Sequence, residues 1–254
     1  LIDPGTASYS DPKVRDRFRA TASHNAVTLN GESSSRMAGA FAWRTMASAR
    51  VRRWLSTAAA DYLEAEHDGY GSHPWKATVK RQIIYLRPDT WIVIDSVSAT
   101  QPVELAVHMQ CAADWVAKRE DPWISLVRAG GRTCGLSFLS HGAVSVELTR
   151  GEISSEYGTR TSAPAIRCRL RVSRTATVWT VIVDLQSHGV LPTALLHAQD
   201  VLEIQLPAVR YYVGRSTDGN DLSKVAGVRL AGEVICARRI GETVEALLVL
   251  PNVE

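Results

Sequence analysis

Apolar and polar residues alternate with a period of two along almost the whole chain, and Gly, Pro, Asn and Asp break the alternation into short runs. The run over 78–86 alternates cleanly. Arg87-Pro88-Asp89-Thr90 follows as a turn with Pro at its second position, and Trp91-Ile92-Val93-Ile94-Asp95 returns, which predicts a hairpin. Further strands are predicted over 103–110, 123–128, 133–139, 144–148, 166–172 and 177–185, with Ala129-Gly130-Gly131 as a turn. The tail adds 201–206, 209–213, 227–230, 234–238 and 244–250. No stretch keeps a helical apolar period through three turns. The nearest, 47–60, contains Arg50-Val51-Arg52-Arg53-Trp54, which fits a strand and is read as one. Short strands with turn residues between them predict an all-β fold, antiparallel sheets packed as a β-sandwich. Residues 1–187 form the main antiparallel sandwich in this reading. A break at Ser187-His188-Gly189-Val190-Leu191-Pro192 sets off 188–254 as a smaller C-terminal β-sheet region, either continuous with the sandwich or beside it.

Composition narrows the partners. A length of 254 residues suits one large all-β unit or two smaller ones. No apolar run approaches the roughly 20 residues that span a bilayer, so no membrane span is expected. The chain opens on Leu1 with no charged-then-apolar leader and reads as a piece of a longer protein. Cys111, Cys134, Cys168 and Cys236 are far apart with no CxxC pair, which argues against thiolate zinc sites and thioredoxin-like chemistry. Arginine outnumbers lysine 24 to 5 although the net charge is only +3. Guanidinium groups hold carboxylates and sulfates through paired hydrogen bonds, which suits an anionic ligand such as a uronic-acid polysaccharide. A GC-rich coding sequence would give the same bias. No basic run is interleaved with aromatics on a nucleic-acid motif, so nucleic acid is not expected as a partner. Nucleophile elbows, phosphate-binding glycine loops, His-Glu-x-x-His helices and EF-hand loops are all missing from the sequence.

Chemistry concentrates near the start. Asp3 precedes Pro4-Gly5; Lys13, Arg15, Arg17 and Arg19 place four cations in seven positions; His24-Asn25 opens a strand. A carboxylate on a tight turn and an imidazole at a strand edge are donors that zinc accepts, but such a site needs three or four ligands. On residue types alone, Asp3 and His24 are as readily structural. In His67-Asp68-Gly69-Tyr70 the Asp-Gly pair predicts a hairpin turn after a strand over 61–66, with Tyr70 half-buried. Tyr157, in Ser155-Glu156-Tyr157-Gly158, is read as plugging the core. His108 is read as a core or edge histidine on its strand. His73, His141, His188 and His197 fall in predicted loops with no partner at useful spacing.

Taken in order, several pieces form a set: Asp3-Pro-Gly-x-x-x-Tyr9, Arg19-Ala20-Thr21-x-x-His24-Asn25-x-Val27, Asn30-Gly31, Phe41-x-Trp43, His67-Asp68-Gly69-Tyr70, Trp91-Ile-Val-Ile-Asp95, and Ser155-Glu-Tyr157-Gly158 with Ala163-Pro164. This set resembles the heparinase II/III-like family of polysaccharide lyases, over roughly residues 1–185 and within the family's β-rich C-terminal half. Ala26 stands where the family commonly has Thr, and Asn30 where it has Asp. The resemblance implies an N-terminal (α/α) toroid upstream, packed on the sandwich with the active cleft between them. It implies β-elimination of an acidic polysaccharide, a glycosaminoglycan, alginate or bacterial exopolysaccharide. A base takes the proton at C5 of a uronate, the bond to O4 breaks, and a C4–C5 double bond remains. The proton-moving groups are implied in the toroid and in a His-x-His segment upstream of Asp3, so no catalytic residue is assigned to this chain. A structural zinc is implied, with Asp3 and His24 as two ligands and the second His of the upstream segment as another, an incomplete site here. Tyr9, Arg17 and Arg19 are the expected substrate-binding residues on this side of the cleft. Polymer degradation implies a periplasmic or extracellular setting. The rival reading is a non-catalytic carbohydrate-binding or structural sandwich in an exopolysaccharide system. A hydrolase is the weakest, since no two acids stand out as a pair flanking a cleft.

Overall fold

The computed structural model describes residues 1–198, 200–215 and 232–250. A short helix α1 (Pro12–Arg19) and a 3-10 turn (Thr21–Ser23) precede β1 (Val27–Leu29), β2 (Arg36–Met37), β3 (Trp43–Thr45), β4 (Ala49–Ser56) and β5 (Ala60–Tyr70). There follow β6 (Ala77–Leu86), β7 (Thr90–Ser98), β8 (Val103–Gln110), β9 (Trp115–Glu120), β10 (Trp123–Arg128), β11 (Thr133–Leu139) and β12 (Ser145–Ile153). The remainder are β13 (Thr161–Val172), β14 (Thr175–Asp184), β15 (Thr193–His197), β16 (Val201–Gln205), β17 (Arg210–Arg215), β18 (Val234–Ile240) and β19 (Thr243–Leu250). The strand expected over 227–230 lies outside the described residues.

The fold is all-β, with antiparallel sheets packed as a sandwich. An eight-stranded sheet, ordered β4-β5-β6-β7-β14-β11-β10-β9, has a four-stranded sheet, β1-β8-β13-β12, on one face and a five-stranded meander, β15 to β19, on the other. Beneath the meander, Tyr62, Ile84, Leu86, Ile92, Ile94, Trp179, Val181 and Val183 pack with Leu202, Ile204, Val213, Val234 and Leu248. On the opposite face Val79, Val97, Leu136 and Val178 pack with Leu29, Leu105, Val107, Ile166 and Cys168. The central strands bury both faces, which is why β7 and β14 read as near-continuous apolar runs. Strand β13 covers only one side. There Ile166, Cys168, Leu170 and Val172 point inward while Arg167 and Arg169 stay half-exposed and Arg171 faces solvent. Cys111, Cys168 and Cys236 are buried, and burial raises their thiols to about 11, 12 and 12 respectively, so they act as small hydrophobes.

Two local expectations change. Asp68-Gly69 is not a turn: β5 runs through it to Tyr70, with a shift of register against β6 between His67 and Tyr70. The pair forms a bulge, and a Cβ at Gly69 would lie 2.6 Å from the Ser34 carbonyl oxygen and 2.9 Å from the Ala47 Cβ. Tyr70 is fully buried and donates its hydroxyl to the carbonyls of Val27 and Glu32, at 3.0 Å each. The four loop histidines also find neighbours. His188 Nε2 lies 2.8 Å from Asp89, His141 Nε2 lies 2.9 Å from Asp200, and His197, on β15, lies 3.0 Å from Glu203. His73 stacks on Trp75 with ring centroids 4.6 Å apart. The Asp89 and Asp200 partners stand 99 and 59 positions away, beyond any local spacing rule.

Candidate functional site

The N-terminal segment is tied down by groups that come together only in the fold. Ile2 donates its amide to Gln110 O at 2.9 Å, and the Pro4 carbonyl accepts from Ser154 N at 2.7 Å. Gly5, at φ +76°, forms a parallel bridge with Ser154, and a Cβ there would meet the Ser154 carbonyl oxygen at 2.2 Å, so only glycine fits. That turn fixes Asp3, whose Oδ1 accepts the Gly5 amide at 2.9 Å. His24 sits just past the 3-10 turn, its amide donating to Thr21 O at 3.1 Å. Its Nδ1 then lies 2.8 Å from Asp3 Oδ2, a pairing across 21 positions. Partial burial alone would raise the Asp3 carboxyl; the Gly5 amide and the His24 ring outweigh it and hold the carboxyl below its ordinary range.

Asn25 locks the two segments together. Its side-chain Nδ2 donates to Ile2 O at 3.0 Å, and its Oδ1 accepts the Gln110 amide at 2.8 Å. Its carbonyl accepts from Arg81, whose guanidinium is held bidentately by the fully buried Asp95 at 2.7 and 2.9 Å. Sequence reasoning did not assign Asn25, Gln110, Ser154 or this ion pair as supports of the site, although Asn25 and Asp95 both stand in the ordered motif set.

Tyr9, Arg17 and Arg19 lie along the same edge. Tyr9 is half-exposed, its ring 5.4 Å from Tyr157 and 5.3 Å from Phe41, centroid to centroid. Tyr157 is 61% exposed, so it does not plug the core; the loop before β13 lifts it onto the surface, where its hydroxyl accepts the Tyr9 amide at 3.3 Å. Phe41 is 82% exposed, which completes an aromatic surface of three rings. Helix α1 starts at Asp11, whose carboxylate accepts the amides of Lys13 and Val14. From it Arg17 pairs with Glu152, while Arg19 donates to the carbonyls of Gly39 at 2.7 Å and Ala40 at 3.0 Å and stacks 4.2 Å from the Trp43 ring. The Arg19 guanidinium therefore holds the loop that carries Phe41.

Asp3 and His24 suit half of a tetrahedral metal site. Zinc ligands at bond lengths of about 2.0–2.1 Å stand about 3.3 Å apart, so opening the observed hydrogen bond by about half an ångström would admit an ion. Among the described residues no group of three or more metal-binding side chains converges.

The chain is thus an antiparallel sandwich domain whose edge carries a carboxylate–imidazole pair beside exposed aromatic rings and arginines. Residues 1–182 match the family described as heparinase II/III-like, C-terminal, and the chain belongs to that family. Two solved structures share the fold over nearly all of the chain. Heparan sulfate lyase HepC from Pedobacter heparinus, a mutant form, has 18% identity and a TM-score of 0.66, covering 99% of this chain and 35% of that one. The heparinase III BT4657 gene product has 15% identity and a TM-score of 0.66, covering 98% and 34%. The chain thus spans about a third of the length of these proteins. No curated protein matches the sequence.

Proposed function

We propose that this chain is the C-terminal β part of a polysaccharide lyase that cleaves uronate-containing polysaccharide by β-elimination. The observation that carries the reading is the meeting of Asp3 and His24, 21 positions apart, beside the exposed rings of Tyr9, Tyr157 and Phe41. Both ligand positions and Tyr9 belong to the ordered motif set of the family.

In this reading Asp3 and His24 hold a structural zinc with ligands from the preceding part of the parent protein. The ion would pin the N-terminal segment to the His24 segment that leads into β1 and fix the edge that faces the cleft. Sugar rings stack on the aromatic surface through their C–H faces, and Arg17 offers a charged contact to a uronate. Abstraction at C5 needs a base placed close to that proton and an acid at O4. Both are assigned to the part of the parent preceding this chain, with an (α/α) toroid forming the far wall. In this reading the protein works in the periplasm or outside the cell.

The test is ultraviolet absorbance of unsaturated uronate, using the parent protein with a panel of polyuronides and glycosaminoglycans beside its His24→Ala variant. Product from the parent, with zinc content and activity reduced in the variant, is the expected result. The exposed aromatic surface would serve equally a non-catalytic carbohydrate-binding sandwich. Sugar binding without product on any polymer would replace the lyase reading with that one.

A further inference from the structure

Strand β9 ends the eight-stranded sheet and β12 ends the four-stranded one. Arg119 on β9 donates to the Val146 carbonyl of β12 at 2.8 Å and ties the two edges together at one point. Next to that tie, between the edges, lies a cavity of about 400 Å³. Register decides which side chains enter it. Ile166 and Cys168 are buried between the sheets, so their β12 partners Leu148 and Val146 share that face. Arg150, opposite Pro164, follows on the same face, and Thr149 and Gly151 lie on the other. On β9, Trp115 and Ala117 turn inward against the core while Val116 is 68% exposed. Trp115, Ala117, Leu148, Ala163 and Pro164 thus form apolar walls, and Arg150 stands among them.

Arg150 is the one ionisable group among the described residues that line this cavity. The arginines around it are committed: Arg17 pairs with Glu152, Arg119 with Asp121, Arg128 with Asp114, and both Arg167 and Arg169 with Glu147. Arg150 has no ion-pair partner among the described residues. Its methylene stem can cover apolar surface while its guanidinium presents a planar fork, and a carboxylate matches that fork. Apolar walls exclude water and strengthen such a pairing. They also select what carries the carboxylate. The hydroxyls of a sugar ring would lose water against Trp115, Leu148 and Pro164 without finding partners there. The Thr149 hydroxyl is already given to the Ala165 carbonyl at 3.2 Å. An aryl or alkyl body gains from the same burial. Small-ligand sites are commonly of roughly 300–1,000 Å³, mostly apolar with a few placed polar groups, and this cavity has that form.

We propose that the opening between β9 and β12 binds a hydrophobic carboxylate, an aryl or alkyl acid that is not a sugar. Its body packs between Trp115 and Leu148, over Ala117 and Pro164, and its carboxylate takes the Arg150 fork. The site lies between two sheet edges of this chain and does not depend on the lyase reading.

The test is calorimetric titration of the 254-residue protein with 3-phenylpropionate, propionate, 3-phenylpropanol and glucuronate. Phenylpropionate is expected to saturate. Propionate lacks the apolar body and phenylpropanol the charge, so each should bind at least about tenfold more weakly. Arg150→Ala should weaken phenylpropionate about tenfold and leave phenylpropanol unchanged. Ala117→Leu, confirmed folded by circular dichroism, fills the opening and removes phenylpropionate binding without changing any charge. Arg171→Ala makes the same change of charge outside the cavity and leaves binding as it was. No saturation by phenylpropionate, or equal affinity in the Arg150→Ala or Ala117→Leu variant, overturns the proposal. Glucuronate binding as tightly as phenylpropionate overturns the apolar selectivity. Unsaturated product does not enter these readouts, so the site and the lyase stand or fall separately.

Discussion

Single residues decide how firmly the N-terminal segment is held. Asp95 is fully buried and its charge is answered by Arg81, which also reaches the Asn25 carbonyl beside His24. Arg81→Met leaves a buried carboxylate without its partner, and such losses cost about 3–5 kcal/mol. Urea denaturation should register that loss, and nuclear magnetic resonance should find the His24–Asn25 segment loosened. A variant as stable as the parent would contradict the arrangement. His108 sets a pH dependence of opposite origin. Burial and Arg167 depress its ring to about 4, against about 6.5 in an unfolded chain, so the native state binds fewer protons than the unfolded one. Its contribution is therefore complete above about pH 6.5 and drains away as pH falls toward about 4. Relative to His108→Gln, the wild type should lose urea midpoint across that window; parallel curves would exclude it. Neither residue's role could be read from spacing, because Arg81 meets Asn25 across 56 positions and His108 meets Thr28 across 80.

Elements were legible where one period dominates and obscure where geometry is irregular. The hairpin of β6 and β7, the burial of alternate β13 residues and the strand nature of β4 all follow from two-residue alternation and turn residues. Helix α1 is only eight residues long, too short to show an apolar period through three turns. Its signal was nevertheless present: Asp11 before Pro12 is an N-cap followed by proline at the first turn. Asp11→Ala should cost about 1 kcal/mol and loosen Arg17 and Arg19 together, which thermal denaturation with the exchange of α1 amides would reveal. The Asp68-Gly69 bulge was hidden for a different reason. Asp-Gly marks turns and bulges alike, and only the neighbouring segment decides between them. Here Ser34 and Ala47 press on Gly69, and the hairpin of β2 and β3 lies between those two residues. Gly69→Ala should destabilise the protein by about 1–3 kcal/mol through that overpacking. Unchanged thermal stability would mean that the segments do not meet.

At the scale of the molecule, the central sheet must be covered on both faces, and this gives the tail a structural task that motif reading could not assign. The family match ends at residue 182, and the ordered motifs stop near the same place. Yet Tyr62, Ile84, Leu86, Ile92, Ile94, Trp179 and Val181 all lie before that point, buried under residues that come after it. Arg53 on β4 also reaches Glu233 at 2.7 Å, and the Thr57 hydroxyl donates to the Leu247 carbonyl at 3.3 Å. A protein ending at Ser187 would expose that face. Leaving such large side chains uncovered costs about 1.5–3 kcal/mol each, so the set forfeits more than about 10 kcal/mol. A domain's whole stability is about 5–15 kcal/mol. The truncated protein should therefore aggregate, or bind a hydrophobic dye and lack the near-ultraviolet dichroism of packed aromatics, while the full chain does neither. A soluble, monomeric 1–187 fragment with a cooperative thermal transition would mean that the first 187 residues fold independently of the meander.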